Sequence, residues 1–296
     1  MSTPEPVAPD GVPVCYRHPD RETYIRCTRC ERPICPDCMT SAAVGFQCPE
    51  CVASGRVDTR PVRTRLGART ISRPSVTLGL IVANVVVYGL QVLNPGSPGS
   101  GLDQLSAQYG QWPVAVALDN QYYRLFTAMF LHASVLHIGF NMLVLWMLGP
   151  NLEQVLGHVR FGVLYVVAGL GGSVASFWFS DPGIVGIGAS GAIFGLMGAY
   201  VVVGRALRAD ISQVVGLIAL NVVIGFVAGG IDWRAHLGGL VTGALVAAVF
   251  AYAPARVRVP AQVMGVVLVL VVLGVLVLVR DTSLTAELAA QGITSA

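Results

Sequence analysis

Ser190 and His236 are the residues of this chain best suited, by type and setting, to covalent chemistry. Ser190 lies in Gly188-Ala189-Ser190-Gly191, and His236 lies in Ala235-His236-Leu237-Gly238-Gly239. A Ser hydroxyl is a poor nucleophile until an adjacent base takes its proton. A neutral His can take that proton and then protonate a leaving amine. His137 and Asn141 are four residues apart, so they share one helix face and can offer side-chain donors to a developing oxyanion. The backbone N–H of Ser190, at the start of an expected helix, is free to join them, and the helix dipole favours negative charge there. Losing one such donor typically costs about 3–4 kcal/mol of transition-state stabilisation. Asp232 lies four residues before His236 but in an expected outer turn, so the reading is a Ser-His dyad and not a triad.

The second constellation is Cys15-x2-His18-x8-Cys27-x2-Cys30-x4-Cys35-x2-Cys38-x9-Cys48-x2-Cys51. These are four ligand pairs, each with two residues between its members. Eight ligands suit two tetrahedral zinc ions. All seven Cys of the chain are used, and their odd number argues against disulfides. A segment of about 40 residues cannot build a sufficient core without such staples. The zinc ions are therefore expected to be structural, with no cofactor needed for catalysis. Alternating and sequential pairing of the ligand pairs are both open on spacing.

These two sets sit in very different surroundings. The 296 residues are 54% hydrophobic and only 12% charged, with a mean hydropathy of +0.67. A soluble domain carries about 25% charged residues, so an ordinary soluble enzyme is excluded. All 19 basic residues are Arg, and 11 of them lie in residues 1–74. The net charge of +3 is too small for nucleic-acid binding, and the five Arg of the Cys-rich head are balanced by acids. The first residues are Pro-rich and acidic with no apolar stretch, so no cleavable signal peptide is expected.

A polar stretch, Val52 to Pro74, follows the head and carries Arg56, Arg60, Arg63, Arg65, Arg69 and Arg73 without an apolar face. It reads as a linker. A membrane-spanning helix needs about 20 mainly apolar residues. Seven candidates follow: Ser75–Leu93, Val135–Val155, Phe161–Phe179, Ala189–Val203, Ile211–Val227, Ala235–Ala253 and Val263–Val279. The expected division is a zinc-binding domain over 1–55, a linker over 56–74, a six-span core over 75–255, and a seventh span with a short outer tail over 256–296. The positive-inside rule keeps the linker in the cytoplasm. His158 with Arg160, Arg205 with Arg208, and Arg256 with Arg258 then mark the other inner turns. The expectation is a cytoplasmic N-terminus and an outer C-terminus. The Asn94–Ser134 connection is too long for a simple turn. Its Trp112, Tyr122, Tyr123 and Arg124 suit a water–lipid interface.

On this topology the polar groups of three spans meet at one depth, toward the outer face. Polar side chains in a bilayer are costly and mark function by default. Gly191, Gly195 and Gly198 line one face of the fourth span, while Gly239 and Gly243 are four apart on the sixth. Small-xxx-small faces let two helix backbones approach closely in lipid, which would bring Ser190 to His236. A transporter would show broken helices in two related halves. No such repeat is present.

Residues Ser75 to Tyr252, about three-fifths of the chain, resemble the rhomboid family of intramembrane serine proteases. Gly188-Ala189-Ser190-Gly191 is similar to its Gly-x-Ser-Gly motif. Ala235-His236-Leu237-Gly238-Gly239 is similar to its catalytic His segment, with Gly239 three residues on. His132, His137 and Asn141 are similar to its His-x4-His-x3-Asn pattern. The resemblance implies an all-α polytopic membrane protein: a rhomboid-like six-helix core plus a seventh C-terminal span, preceded by a small zinc-stapled domain. It implies Ser190 as nucleophile and His236 as base, with His137 and Asn141 in the oxyanion hole and Phe194 against the catalytic His. It further implies transmembrane protein substrates, cut near the outer face. Tyr123-Arg124 stands where the family often has Trp-Arg, and Glu153 is similar to a structural acidic position. An inactive relative that only holds helices would lack the Ser or the His. The head resembles a B-box-type finger, which implies alternating pairs: Cys15, His18, Cys35 and Cys38 on one ion, and Cys27, Cys30, Cys48 and Cys51 on the other. A cytosolic protein partner or a regulatory role is the expectation for this head. The lipid bilayer of the cell membrane is the expected setting of the body.

Overall fold

Long apolar runs in lipid have one economical solution, because each backbone N–H and C=O must find its partner inside the segment. The computed structural model describes residues 11–58, 63–99, 101–227 and 230–293. Arg60 of the expected linker lies outside the described residues. The chain divides into two compact units, Met1–Val62 and Arg63–Ala296.

In the first unit β1 (Val14–Cys15) pairs antiparallel with β2 (His18–Glu22). A 3-10 turn follows at Pro36–Cys38, then a second small hairpin of β3 (Thr40–Ser41) and β4 (Phe46–Gln47). The unit ends in α1 (Pro49–Asp58). Its interior is sulfur: Cys15, Cys27, Cys35 and Cys48 are fully buried around Ile34, with Phe46 packed on them.

The second unit is helical. Among the described residues six helices are long and apolar enough to cross a membrane: α2 (Ser75–Leu93), α6 (Val135–Leu156), α7 (His158–Phe179), α8 (Ser190–Leu207), α10 (Trp233–Tyr252) and α11 (Arg258–Ala290). Between them lie α3 (Gln104–Tyr109), α4 (Pro113–Asp119), α5 (Arg124–Thr127) and α9 (Ser212–Val227). The fifth expected span is α9, an apolar helix of 16 residues, or about 24 Å, against a hydrocarbon core of about 30 Å. By contrast, α11 has 33 residues, or about 50 Å. It continues past the expected end of the seventh span in place of a short tail. Its far end buries Leu284 and Leu288 against Val116, Leu125 and Phe177, and Asp281 accepts from the Tyr122 hydroxyl at 3.1 Å.

The core lies where α7, α8 and α10 meet, around Phe161, Leu164, Tyr165 and Leu196, all fully buried. The other long helices surround it. Residues 63–69, expected to be linker, instead form a small turn on the helical unit. Leu66 is buried in the core, and Thr64 donates to the Val155 carbonyl at 2.9 Å.

One polar contact anchors the start of α2. Pro74 precedes this helix and supplies no side-chain cap, so the first N–H groups need acceptors from elsewhere. Glu153 of α6, fully buried, provides them. It accepts from the Val76 N–H at 2.9 Å, the Thr77 N–H at 2.8 Å and the Thr77 hydroxyl at 2.6 Å, and it pairs with His158. Truncating it leaves three donors unpartnered, each costing about 1–3 kcal/mol. Glu153→Ala is expected to lower stability by about 3 kcal/mol or more, and Glu153→Gln by less, read as Tm in detergent. An unchanged Tm for Glu153→Ala would refute this anchoring role.

Candidate active site and metal centres

Helices α8 and α10 touch backbone to backbone. A Cβ at Gly195 would stand 3.0 Å from the Gly239 carbonyl oxygen, and Cβ atoms at Gly239 and Gly243 would collide with the carbonyls of Gly191 and Gly195. On the other side, a Cβ at Gly172 of α7 would lie 3.1 Å from the Gly191 Cα. No side chain beyond hydrogen fits these crossings, which is the small-residue packing that lipid favours.

The consequence is a short distance between the first turns of two helices. Ser190 is the first residue of α8, and His236 lies in the first turn of α10. Ser190 Oγ and His236 Nε2 are 2.8 Å apart. The Phe194 ring, one turn on from Ser190, stacks on the imidazole with centroids 4.1 Å apart and planes 12° apart. A hydroxyl so placed can pass its proton to the imidazole. Asp232 has a different task. It caps α10, accepting from the N–H groups of Arg234 and Ala235 at 3.1 and 3.2 Å and from the Ser176 hydroxyl. Among the described residues its carboxylate makes no hydrogen bond to the His236 ring; the His236 N–H donates to the Asp232 carbonyl at 3.3 Å.

His137 and Asn141 stand beside this pair on α6. Ala133 N–H donates to His137 Nδ1 at 3.3 Å, which assigns the ring proton to Nε2. That Nε2 borders Gly188, where a Cβ would lie 2.9 Å from it and 3.7 Å from Ser190 Oγ. Gly188 also has φ +135°, closed to ordinary side chains. Asn141 is buried, and its Nδ2 donates to nothing among the described residues, so it is a donor held ready. His132 packs its ring edge-to-face on His137, with centroids 5.0 Å apart. Neither ring nitrogen of His132 has a partner among the described residues, so its side chain serves as packing.

Three further residues hold the segment that precedes α6, and no motif reading finds them. Gln91, buried near the end of α2, accepts from the His132 N–H at 3.0 Å and donates to the His132 carbonyl at 3.2 Å. The same amide donates to Asp103 and to Ser106 Oγ, both at 2.9 Å. Burial pushes the Asp103 carboxyl up, but hydrogen bonds from Ser106 and Gln91 outweigh it and hold Asp103 below the usual carboxylate range. The available signals were a polar residue in an apolar span and Asp103-x2-Ser106, which reads as a helix N-cap. Nothing in sequence links the two across 12 residues.

The long connection after α2 is an ordered lobe. Arg124 is buried, not spread at an interface as expected. It donates to the carbonyls of Ala107 and Gly110 at 3.0 and 2.8 Å and to Gln121 Oε1 at 2.6 Å. A buried guanidinium needs such acceptors, and the end of α3 with the turns on either side of α4 supplies them. The lobe also steers the approach to Ser190: Gln111 and Gly186 exchange backbone hydrogen bonds at 2.9 Å, and Gly188 N–H donates to the Ala128 carbonyl at 2.9 Å.

In the first unit the eight ligands fall into two clusters, Cys15, His18, Cys35, Cys38 and Cys27, Cys30, Cys48, Cys51. Within each, the ligand atoms all lie within 4.8 Å of one another. His18 Nδ1 is 3.3 Å from Cys35 Sγ and 3.4 Å from Cys38 Sγ, and Cys30 and Cys48 Sγ are 3.8 Å apart. A tetrahedral metal with bonds of about 2.3 Å to sulfur has edges of about 3.8 Å, so both clusters fit a tetrahedral ion. The pairing is alternating, one of the two arrangements left open by spacing. Burial first, and then their neighbouring sulfurs, raise the thiols of Cys38 and Cys51 to about 11 and about 12. Burial acts the same way on Cys15 and Cys27, but backbone hydrogen bonds prevail and lower them to about 6.

Fold and site together define a polytopic helical membrane protein with a Ser-His pair at one end of its bundle. Residues 119–253 match the Rhomboid domain, so the chain carries a rhomboid domain. It is 33% identical to Rhomboid protease GluP of Bacillus subtilis, over 60% of this chain and 35% of that protein. It is 40% identical to RHOMBOID-like protein 1 of Arabidopsis thaliana, over 46% of this chain and 36% of that protein. It is 27% identical to Rhomboid protease AarA of Providencia stuartii, over 62% of this chain and 75% of that protein. The chain thus spans about a third of the length of the first two relatives.

Removing the Gln91 amide would strand the His132 backbone, and each buried polar group left unpaired costs about 1–3 kcal/mol. Gln91→Leu is expected to lower stability by about 2 kcal/mol or more, measured as Tm in detergent. A Tm equal to wild type would show that this clamp carries no weight.

Proposed function

We propose that this chain is an intramembrane serine endopeptidase that works through a Ser190-His236 dyad. The observation that carries the reading is the 2.8 Å contact between Ser190 Oγ and His236 Nε2, beside donors without other partners. His236 Nε2 takes the Ser190 proton as Oγ attacks the scissile carbonyl carbon. The carbonyl oxygen becomes an oxyanion and accepts from His137 Nε2–H, Asn141 Nδ2–H and the Ser190 backbone N–H. His236 then gives its proton to the leaving amine, which breaks the C–N bond and leaves an acyl ester on Ser190. A water, deprotonated by His236, hydrolyses that ester and frees the hydroxyl. Phe194 holds the imidazole by stacking, in place of an acidic third member.

Ser190, His236 and His137 are half-buried at the ends of three spans on the same face, so water can reach them without crossing lipid. The substrate class that fits is a transmembrane protein whose helix unwinds near that face and presents a bare peptide bond. The Arg-rich turns assign the opposite face to the cytoplasm of a cell membrane. The N-terminus and the metal unit lie there, and the active site faces outward. The protease core is residues 75–255.

Two zinc ions suit the head, on Cys15, His18, Cys35 and Cys38 and on Cys27, Cys30, Cys48 and Cys51. Four protein ligands leave no open coordination position, so the ions staple the fold and take no part in hydrolysis.

With a model transmembrane substrate in detergent, Ser190→Ala and His236→Ala are each expected to lower cleavage by about 10³-fold or more. Labelling by a fluorophosphonate probe should vanish in both. Retained cleavage by Ser190→Ala would overturn the nucleophile. Elemental analysis of the full chain is expected to give about two zinc ions, and about one in Cys30→Ser. A wild-type content of one or none would overturn the paired sites.

A further inference from the structure

At the membrane face opposite Ser190, three guanidinium groups from three separate elements meet on one turn. Arg63 Nη1 donates to the Gly67 carbonyl at 3.0 Å. Arg160 Nη1, from the first turn of α7, donates to the Leu66 carbonyl at 3.0 Å. The Arg258 guanidinium, at the start of α11, lies directly over Gly67, where a Cβ would strike it. Gly67 has φ +78°, so both its conformation and this overlay exclude a side chain. Among the described residues none of the three Arg has a carboxylate partner, although Arg21, Arg32 and Arg280 elsewhere in the chain each do.

Like charges held this close repel unless an anion joins them. Arg63 and Arg160 each use one Nη1–H on the turn, Arg258 lies over it by contact alone, and the remaining N–H groups keep the fork geometry that fits phosphate oxygens. The positive ends of α7 and α11 add to the field. The surroundings decide which anion. Val159, Val257 and Val259, next in sequence to these Arg residues, are 78%, 51% and 65% exposed. Val159 and Val259 belong to α7 and α11, which run into the hydrocarbon, and Val257 ends the short 3-10 turn that leads into α11. Charge and open apolar surface thus adjoin at the level of lipid headgroups, an arrangement a soluble phosphate would not use.

We propose that Arg63, Arg160 and Arg258 bind the phosphodiester of an anionic phospholipid, with its acyl chains along Val159, Val257 and Val259. The lipid would neutralise the cluster and tie the 63–69 turn to the starts of α7 and α11. This rests on the membrane placement of the helices and is independent of the catalytic reading.

The test is native mass spectrometry of the full chain, released from nanodiscs of phosphatidylcholine doped with phosphatidylglycerol. Wild type is expected to retain phosphatidylglycerol in preference to phosphatidylcholine. Near-surface Arg charge is worth about fivefold in anionic-lipid affinity per residue. Retention should therefore fall about fivefold in Arg63→Gln and in Arg258→Gln, and further in the triple variant R63Q/R160Q/R258Q. Arg205→Gln with Arg208→Gln, on the same face outside the cluster, should retain as wild type does. Unchanged retention in the two single variants overturns the site, even where the triple variant fails to fold. Equal loss in the Arg205/Arg208 control overturns it in favour of general surface charge. Displacement of the bound phosphatidylglycerol by inorganic phosphate overturns the lipid assignment in favour of a phosphate-only site.

Discussion

The direct contact of two helix backbones, α8 against α10, is the constraint on which the rest depends. In lipid there is little hydrophobic drive between helices, so association relies on close packing and on polar contacts. Gly191, Gly195, Gly239 and Gly243 remove every side chain from the crossing, and the two axes come as near as backbone atoms allow. Only at that separation can the short Ser190 side chain reach an imidazole on the neighbouring helix. The glycines are therefore as much a part of the site as the groups they bring together. A methyl group at any of several positions would move Ser190 from His236 by more than a hydrogen bond tolerates.

Around this crossing, polar contacts work at both ends of the bundle and solve the same problem. A helix start buried in protein or lipid leaves N–H groups that water cannot serve. At one end, Glu153 satisfies the start of α2 from α6. At the other, Asp232 caps α10 two helical turns from the crossing glycines. Gln91 grips the His132 backbone just before α6. That grip fixes Ala133, whose N–H orients the His137 ring. Arg124 and the Gln111–Gly186 pair do the same for the lobe and for the loop that leads to Ser190. The acid that proximity in sequence offers to His236 is thus engaged in capping, and the ring that lies on the imidazole is Phe194.

The first unit, which carries the two Cys/His clusters, follows a different rule. It is too small to bury enough apolar surface in water, and its interior is made of ligand sulfurs with little else. Its strands are two to five residues long. Ligand pairs with two residues between their members form knuckles that need almost no regular structure, and pairs from distant parts of the segment close each cluster. The helical unit needs no such closure, since its cohesion comes from long helices and small-residue contacts.

What the sequence by itself determined was set by quantities that depend on near neighbours. Apolar run length marked all seven apolar helices, six of them long enough to span, and Cys spacing marked the ligand pairs. Helical periodicity put His137 with Asn141, and Gly195 with Gly191, on common faces. Four outcomes were left to tertiary structure. The short α9 and the long α11 have boundaries fixed by what they pack on: the far end of α11 is held by Phe177 and Tyr122, more than a hundred residues away. Arg124 looked interfacial, because an aromatic and an Arg beside a span fit lipid headgroups as well as a buried turn, and only the fold of the lobe supplies its acceptors. The Gln91–Asp103–His132 network joins residues with no shared periodicity. The same holds for the 2.8 Å between Ser190 and His236. Spacing can offer two glycine faces, but the distance between atoms on different helices depends on axial register and rotation, which exist only once the helices are packed.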